Sequence, residues 1–202
     1  MKNSIKIILF VIACTITLIG CSDDHNTSGE DVPIQHLQPS FKVDVNDLNE
    51  LVGDADYVFV GYIDELVGTV YKNPVIIETE NGPKEVLDPY TEYSVTVIDN
   101  IKGNLKKDVP IPMQKTGGLS KDESMYLLYE NDELPEVGEH YILVAHAQPD
   151  GSLLISGPNS SIVLDIQSQG ESVVSQGYQD YKEAYKNEIK TDRERFTSKY
   201  EE

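Results

Sequence analysis

The chain is expected to be mainly β, a small closed barrel with a short helix before it and a longer amphipathic helix after it. Three observations carry this expectation. Dense β-forming runs recur, chiefly Tyr57–Ile63 and Tyr141–Ala145. Short strands with glycine-marked bends and turn sequences between them favour a barrel over a sandwich. Near the end, apolar and aromatic residues return at helical spacing.

The first residues, Met1 to Lys6, carry two positive charges and no acid, and the apolar run Ile7–Ala13 follows. These are the parts of a secretory signal. The run is too short for a membrane span, which needs ~20 apolar residues. Leu18-Ile19-Gly20-Cys21 resembles the lipobox of bacterial lipoproteins and sits at the correct distance from the signal. The resemblance implies that residues 1–20 are a signal peptide and that the Cys21 thiol receives a diacylglycerol. The mature chain would then be lipid-anchored on the extracytoplasmic face of a cell membrane. Cys14 lies in the removed segment, so no mature thiol remains for a disulfide, a thiolate metal site or a cysteine nucleophile.

Loss of Lys2 and Lys6 with no acid takes the formal charge from −19 to −21. That balance opposes binding to nucleic acid or to an anionic membrane through a basic patch. With no Trp, four Phe and twelve Tyr, the core is expected to be Val, Ile and Leu with Tyr at its margins. The Lys, Asn and Ile content resembles that of a low-GC Gram-positive bacterium.

Residues 21–42 are polar and without a period, and read as a flexible tether. The domain is expected over 43–202. A short helix follows the tether, with Asp44 or Asn46 as N-cap, Leu48, Leu51 and Val52 on one face and Gly53 as the stop. In the run from Tyr57, Gly61 marks a bulge or bend. Val67–Ile77 is a strand region interrupted at Asn73-Pro74, and Asn81-Gly82 is a hairpin signal. Tyr93, Val95 and Val97 alternate with Ser94 and Thr96, and Lys102-Gly103-Asn104 ends that strand. Val109–Gln114 contains Pro110 and Pro112 and is expected at a sheet edge. After a long connection over 117–135, Tyr141–Ala145 is followed by a turn at Pro149-Asp150-Gly151. Leu153–Ile155 and Ile162–Leu164 are short strands. A helix is expected over 172–200, with Val174, Tyr178, Tyr181, Tyr185 and Ile189 as its stripe and Phe196 and Tyr200 extending it.

Three phrases in order resemble the netrin-like modules, the group that contains the tissue inhibitors of metalloproteinases. They are Ala55-Asp56-Tyr57-Val58-Phe59-Val60-Gly61, then Tyr93 to Gly103 ending in Lys-Gly, then Leu134-Pro135-Glu136-Val137-Gly138-Glu139-His140-Tyr141-Ile142-Leu143. The resemblance implies a five-stranded OB-like barrel. It does not carry the zinc-chelating inhibitor mechanism, which uses a free N-terminal Cys beside a disulfide ridge. Here Cys21 is expected to be acylated and has no cysteine partner.

No constellation for catalysis, metal or cofactor stands out, so enzyme activity and a cofactor are not expected. His25 and His36 fall in the expected tether. His140 and His146 lie six residues apart on one strand, ~20 Å at ~3.3 Å per residue, too far to share a metal. No serine sits in a Gly-x-Ser-x-Gly elbow, and no phosphate-cradling glycine loop appears. Carboxylate pairs such as Asp54 with Asp56 read as chance in so acidic a chain. The segment 117–135 is long for a connection and carries Tyr126, Leu127, Leu128 and Tyr129, groups enriched at interfaces. These four either contact a protein or peptide partner or close the barrel end. The expected function is a cell-surface binding module. An envelope inhibitor of a protease or toxin and an acidic structural or cation-binding protein are the alternatives.

Overall fold

A computed structural model describes residues 32–164 and 175–202. The signal segment, Cys21 and Val174 lie outside the described residues. Strand β1 is Ile34–Leu37, and helix α1 is Leu48–Asp54. Then come β2 (Tyr57–Thr79), β3 (Gly82–Lys102), β4 (Pro110–Thr116) and β5 (Gly118–Leu119). They are followed by β6 (Tyr126–Tyr129), β7 (His140–Ala147), β8 (Leu153–Ile155), β9 (Ser161–Leu164) and helix α2 (Gln176–Lys186). The protein is mainly β.

The main sheet runs β2-β3-β4-β8-β7-β9, and β2 also pairs with β7. Five strands therefore close into a ring, β2-β3-β4-β8-β7 and back to β2. All its pairings are antiparallel except β4 with β8. The run Tyr57–Ile63 is apolar almost throughout because the strand is buried on both faces. Phe59 and Ile63 point into the ring with Val95, Val97, Met113, Leu143 and Leu153. Val58 and Val60 point outward with Ile142 and Val144, beneath Leu51 and Val52 of α1 and Tyr178 and Tyr181 of α2. Gly61 stands at a register shift, as its bend requires. A Cβ there would come within 2.7 Å of Val95 and 2.8 Å of Leu143, so the ring interior has no room for one.

Helix α1 starts one residue later than expected. Asp47 is the N-cap, accepting from the Asn49 amide at 2.8 Å, while Asp44 shapes the preceding turn by accepting from the Asn46 amide at 2.9 Å. Gly53 does not stop the helix. It lies within it and admits the Ile189 backbone, whose carbonyl a Cβ would strike.

Four other expectations are corrected. The expected tether is folded over part of its length, because Ile34–Leu37 pairs in parallel with Tyr126–Tyr129. Its side chains are largely exposed, so the strand is held by backbone hydrogen bonds rather than by a buried face. At Asn73-Pro74 the strand bulges instead of breaking: Asn73 takes φ +53° and its side-chain Nδ2 donates to Asp88 at 3.0 Å and to the Tyr90 hydroxyl at 3.2 Å. The strand with two prolines is not at an edge but between β3 and β8. Pro110 and Pro112 precede Met113, where β8 begins, so each has a strand partner on one side only.

The C-terminal helix spans 176–186 rather than 172–200. Asn187 ends it, its amide donating to the Ala184 and Glu183 carbonyls at 3.2 Å. Tyr178, Tyr181 and Ala184 are buried, but the stripe fails at Tyr185 and at Ile189, which are exposed. The tail instead makes tertiary contacts: Ile189 donates to the Asn49 carbonyl at 2.9 Å, and Phe196 and Tyr200 pack on the ring core. Among the described residues no helix is long and apolar enough to cross a membrane.

Candidate functional site

Strands β2 and β3 continue past the ring as a two-stranded arm. Thr79 faces Gly82 across the turn, and Val75 faces Val86. Among the described residues β3 is the sole strand partner of β2 from Ile63 to Thr79, so the other edge of β2 is open. Val75, Ile76 and Ile77 are 56%, 63% and 43% exposed, and Leu66 and Val67 nearer the ring are also exposed. The register puts Val75 and Ile77 on one face and Ile76 on the other. An exposed, apolar strand with an unpaired edge is a template for another strand. The arm is braced at its base, where Lys72 Nζ donates to Gln114 at 2.5 Å and lies 4.7 Å above the Tyr90 ring. Farther out, Lys84 reaches Asp122 at 3.4 Å. Asp122 accepts from the hydroxyls of Ser124 and Ser120 at 2.7 and 2.8 Å, which hold its carboxyl well below the usual range.

Tyr126, Leu127, Leu128 and Tyr129 are brought together, but as β6, the middle strand of a second sheet ordered β1-β6-β5. Leu128 is buried and the other three are half-buried. Tyr129 meets the Phe41 ring edge to face at 5.9 Å. Paired with β1 over its whole length and with β5 at Tyr126 and Leu127, this segment is a built part of the fold rather than a free loop.

A charged cluster ties the tail to the start of β2. Asp54 lies 3.0 Å from His146 Nε2 and 3.4 Å from Arg193 Nε, and accepts from the Thr191 hydroxyl. Asp56 meets Arg193 at 2.7 Å and Arg195 at 3.0 Å, and accepts from the Ala147 amide at 3.0 Å. The hydrogen bond from His146, aided by Thr191 and Arg193, holds the Asp54 carboxyl well below the usual range against the opposing effect of burial. Arg193 and Arg195 also donate to the Asp54 carbonyl, and Arg195 to the Gly53 and Ala55 carbonyls. The Asp54–His146 pair resembles half of a catalytic triad. Thr191, however, donates to the aspartate rather than to the imidazole, so it is not activated as a nucleophile. The cluster is a clamp. Tyr57 adds to it, donating to Glu201 at 2.9 Å and accepting from the Ser198 amide, its phenol pushed up to about 12 chiefly by burial.

Sequence reasoning missed this clamp by taking Asp54 and Asp56 as chance. A signal was available: Arg193 and Arg195 are the two arginines of the whole chain, and both pairs have the same i, i+2 spacing.

A second polar cluster lies inside. Lys115, fully buried, donates to Asp132 Oδ1 at 2.6 Å, Ser160 Oγ at 3.0 Å and the Gly157 carbonyl at 3.3 Å. Burial pulls the ammonium below its usual range, and Asp132 opposes that pull. Ser160 donates in turn to the Gly157 carbonyl. Beside this cluster opens a cavity of about 560 Å³ whose wall includes Asp132, Glu133, Glu136 and Glu139.

His36 sits in β1, and His140 and His146 stand toward opposite ends of β7. Among the described residues no three His, Cys, Asp or Glu side chains are grouped as metal ligands would be. No protein-family model matches the sequence, and no curated protein is detectably similar to it.

Proposed function

We propose that this chain is a lipid-anchored, non-enzymatic binding module on the extracytoplasmic face of a bacterial cell membrane, capturing a protein partner through the β2–β3 arm. The observation that carries the proposal is the apolar arm with its open edge. Exposed valine and isoleucines work against solubility, and clustered apolar exposure marks interaction surfaces. The occupant is an extended apolar segment that adds to β2 by backbone pairing. Glu78, Glu80 and Glu85 outnumber Lys84 at the arm's end, so that segment is neutral or basic.

Anchoring rests on the signal and lipobox residues ending at Cys21. The ring supports the OB-type, netrin-like reading. Its order is first-second-third-fifth-fourth-first, with the third and fifth strands parallel, and the arm is the first-to-second connection, a common binding element of such barrels. The arm replaces Tyr126–Tyr129 as the contact because all four pair with β1, Tyr126 and Leu127 pair with β5 as well, and Leu128 is buried.

Two measurements test the proposal. Cells fed a tagged fatty acid label the wild-type chain, and a Cys21→Ala chain that kept the label would overturn the anchor. Changing Val75, Ile76 and Ile77 together to Ser abolishes capture of the partner on intact cells while thermal unfolding stays cooperative. Undiminished capture would overturn the arm's role.

A further inference from the structure

We infer that the strand the arm captures is the same strand of a second copy: β2 pairs antiparallel with β2 about Ile76 and joins two chains. This rests on capture through the arm and names the partner. The partner segment has to be extended, apolar and neutral or basic, and Tyr71–Ile77 meets that description with one lysine and no acid. Around a two-fold axis one contact covers both open β2 edges and the exposed Val75, Ile76 and Ile77 of both copies. With Ile76 on the axis, Val75 of each copy faces Ile77 of the other, an apolar cross-strand pair made twice.

Charge favours the same pairing and sets its direction. Along the outer part of β2 and its turn, Lys72 stands on one side of the apolar centre, and Glu78 and Glu80 stand on the other. An antiparallel copy therefore brings Lys72 of each chain toward Glu78 and Glu80 of its partner, twice by symmetry. A parallel copy would set lysine beside lysine and acid beside acid. In the single chain the Lys72 ammonium lies over the Tyr90 ring and donates to Gln114. Lys72 is exposed, and its flexible stem can exchange those contacts for a carboxylate across the edge.

The two strands of the arm are not equally protected against pairing. In β3, Pro83 and Pro89 cannot donate to a ladder, and residues 121–122 flank it through Lys121–Glu85 at 3.9 Å and Lys84–Asp122 at 3.4 Å. From Val75 to Thr79, β2 has neither proline nor lysine. The net charge of −19 opposes close approach of two copies. Pairing at the arms keeps that repulsion small. Tyr62, the last residue of β2 to pair with β7, is fourteen residues from Ile76. At ~3.3 Å per residue each ring lies ~40 Å from the axis, far beyond the ~8 Å over which salt screens charge.

The experiment uses two differently tagged full-length copies expressed together in intact cells, one with a photoreactive residue in place of Ile76. The expected result is an adduct that carries both tags, and none when the photoreactive residue replaces Lys186 instead. Lys72→Glu in both copies lowers the yield roughly tenfold, and so does Glu78→Lys/Glu80→Lys in both copies. Combining one Lys72→Glu copy with one Glu78→Lys/Glu80→Lys copy restores the yield, because the charges across the axis are then opposite again. Two variants that merely disorder the arm do not rescue each other, so failure of this rescue overturns the inference. Equal yields of the two-tag adduct from positions 76 and 186 are collisions of crowded chains and overturn it too. Adducts from position 76 to a different protein alone overturn the second copy as partner and leave capture through the arm standing. No adduct from position 76 to any protein overturns both.

Discussion

The two ends of strand β2 stand in opposite surroundings. From Val58 to Tyr62, β2 lies between β3 and β7 and its residues are mostly buried. From Lys72 to Thr79 the same strand has one strand neighbour among the described residues and every side chain exposed. The pattern of apolar residues is nearly as dense in Pro74–Ile77 as in Tyr57–Val60. Hydrophobicity alone therefore does not decide burial; closure does. Where β7 pairs with β2 the ring closes and a core forms, and beyond it the same chemistry is left as a contact surface. The ring should carry the stability and the arm the binding.

The largest effects are expected in the ring. Phe59→Ala should cost about 3–5 kcal/mol, read as a lower denaturant midpoint. A similar loss from any single arm residue would break the comparison. Lys115→Met should cost about 3–5 kcal/mol, because it leaves Asp132 charged and buried without its partner. The double change Lys115→Met/Asp132→Leu should recover most of that, and chemical denaturation of all three variants would show it.

The tail clamp should respond to acid. The folded Asp54 carboxyl titrates below its unfolded value, so the unfolded chain binds more protons as pH falls through that interval. Its stabilisation is complete above the unfolded value, ~4, and is lost as pH falls toward the lower folded one. The stability gap between the wild type and Asp54→Asn should therefore be wide at neutral pH and narrow steadily below pH ~4. A gap independent of pH would remove the clamp from the account.

The smallest effect is expected at the arm. Ile76→Ser should change stability by less than about 0.5 kcal/mol, as for surface positions without special features. Its backbone amides should exchange hydrogen faster than those of Phe59 and Leu143, since a two-stranded ribbon opens without unfolding the ring.

Much of the ring was legible in the sequence, and for physical reasons. Buried strands such as Tyr57–Ile63 and Tyr141–Ala145 carry apolar side chains on both faces, and Asn81-Gly82 marks the turn through its backbone preferences. What was illegible depends on partners distant in the chain. Strand β1 is held by backbone pairing with β6, which leaves no pattern in Ile34-Gln35-His36-Leu37. The tail carries a helical signal because Ile189, Phe196 and Tyr200 keep helical spacing. Pairing of Arg193 and Arg195 with residues some 140 positions earlier outweighs that local preference. The cavity was equally hidden, since Asp132 becomes a buried acceptor only when Lys115 is folded behind it.

Site-specific photo-crosslinking on intact cells tests the division most directly. A photoreactive residue in place of Ile76, compared with one in place of the exposed Lys186 of α2, reads contact at the arm against contact elsewhere. One discrete protein adduct from position 76 and none from position 186 is the expected result. No adduct at 76, or the same adducts from both positions, would contradict the account.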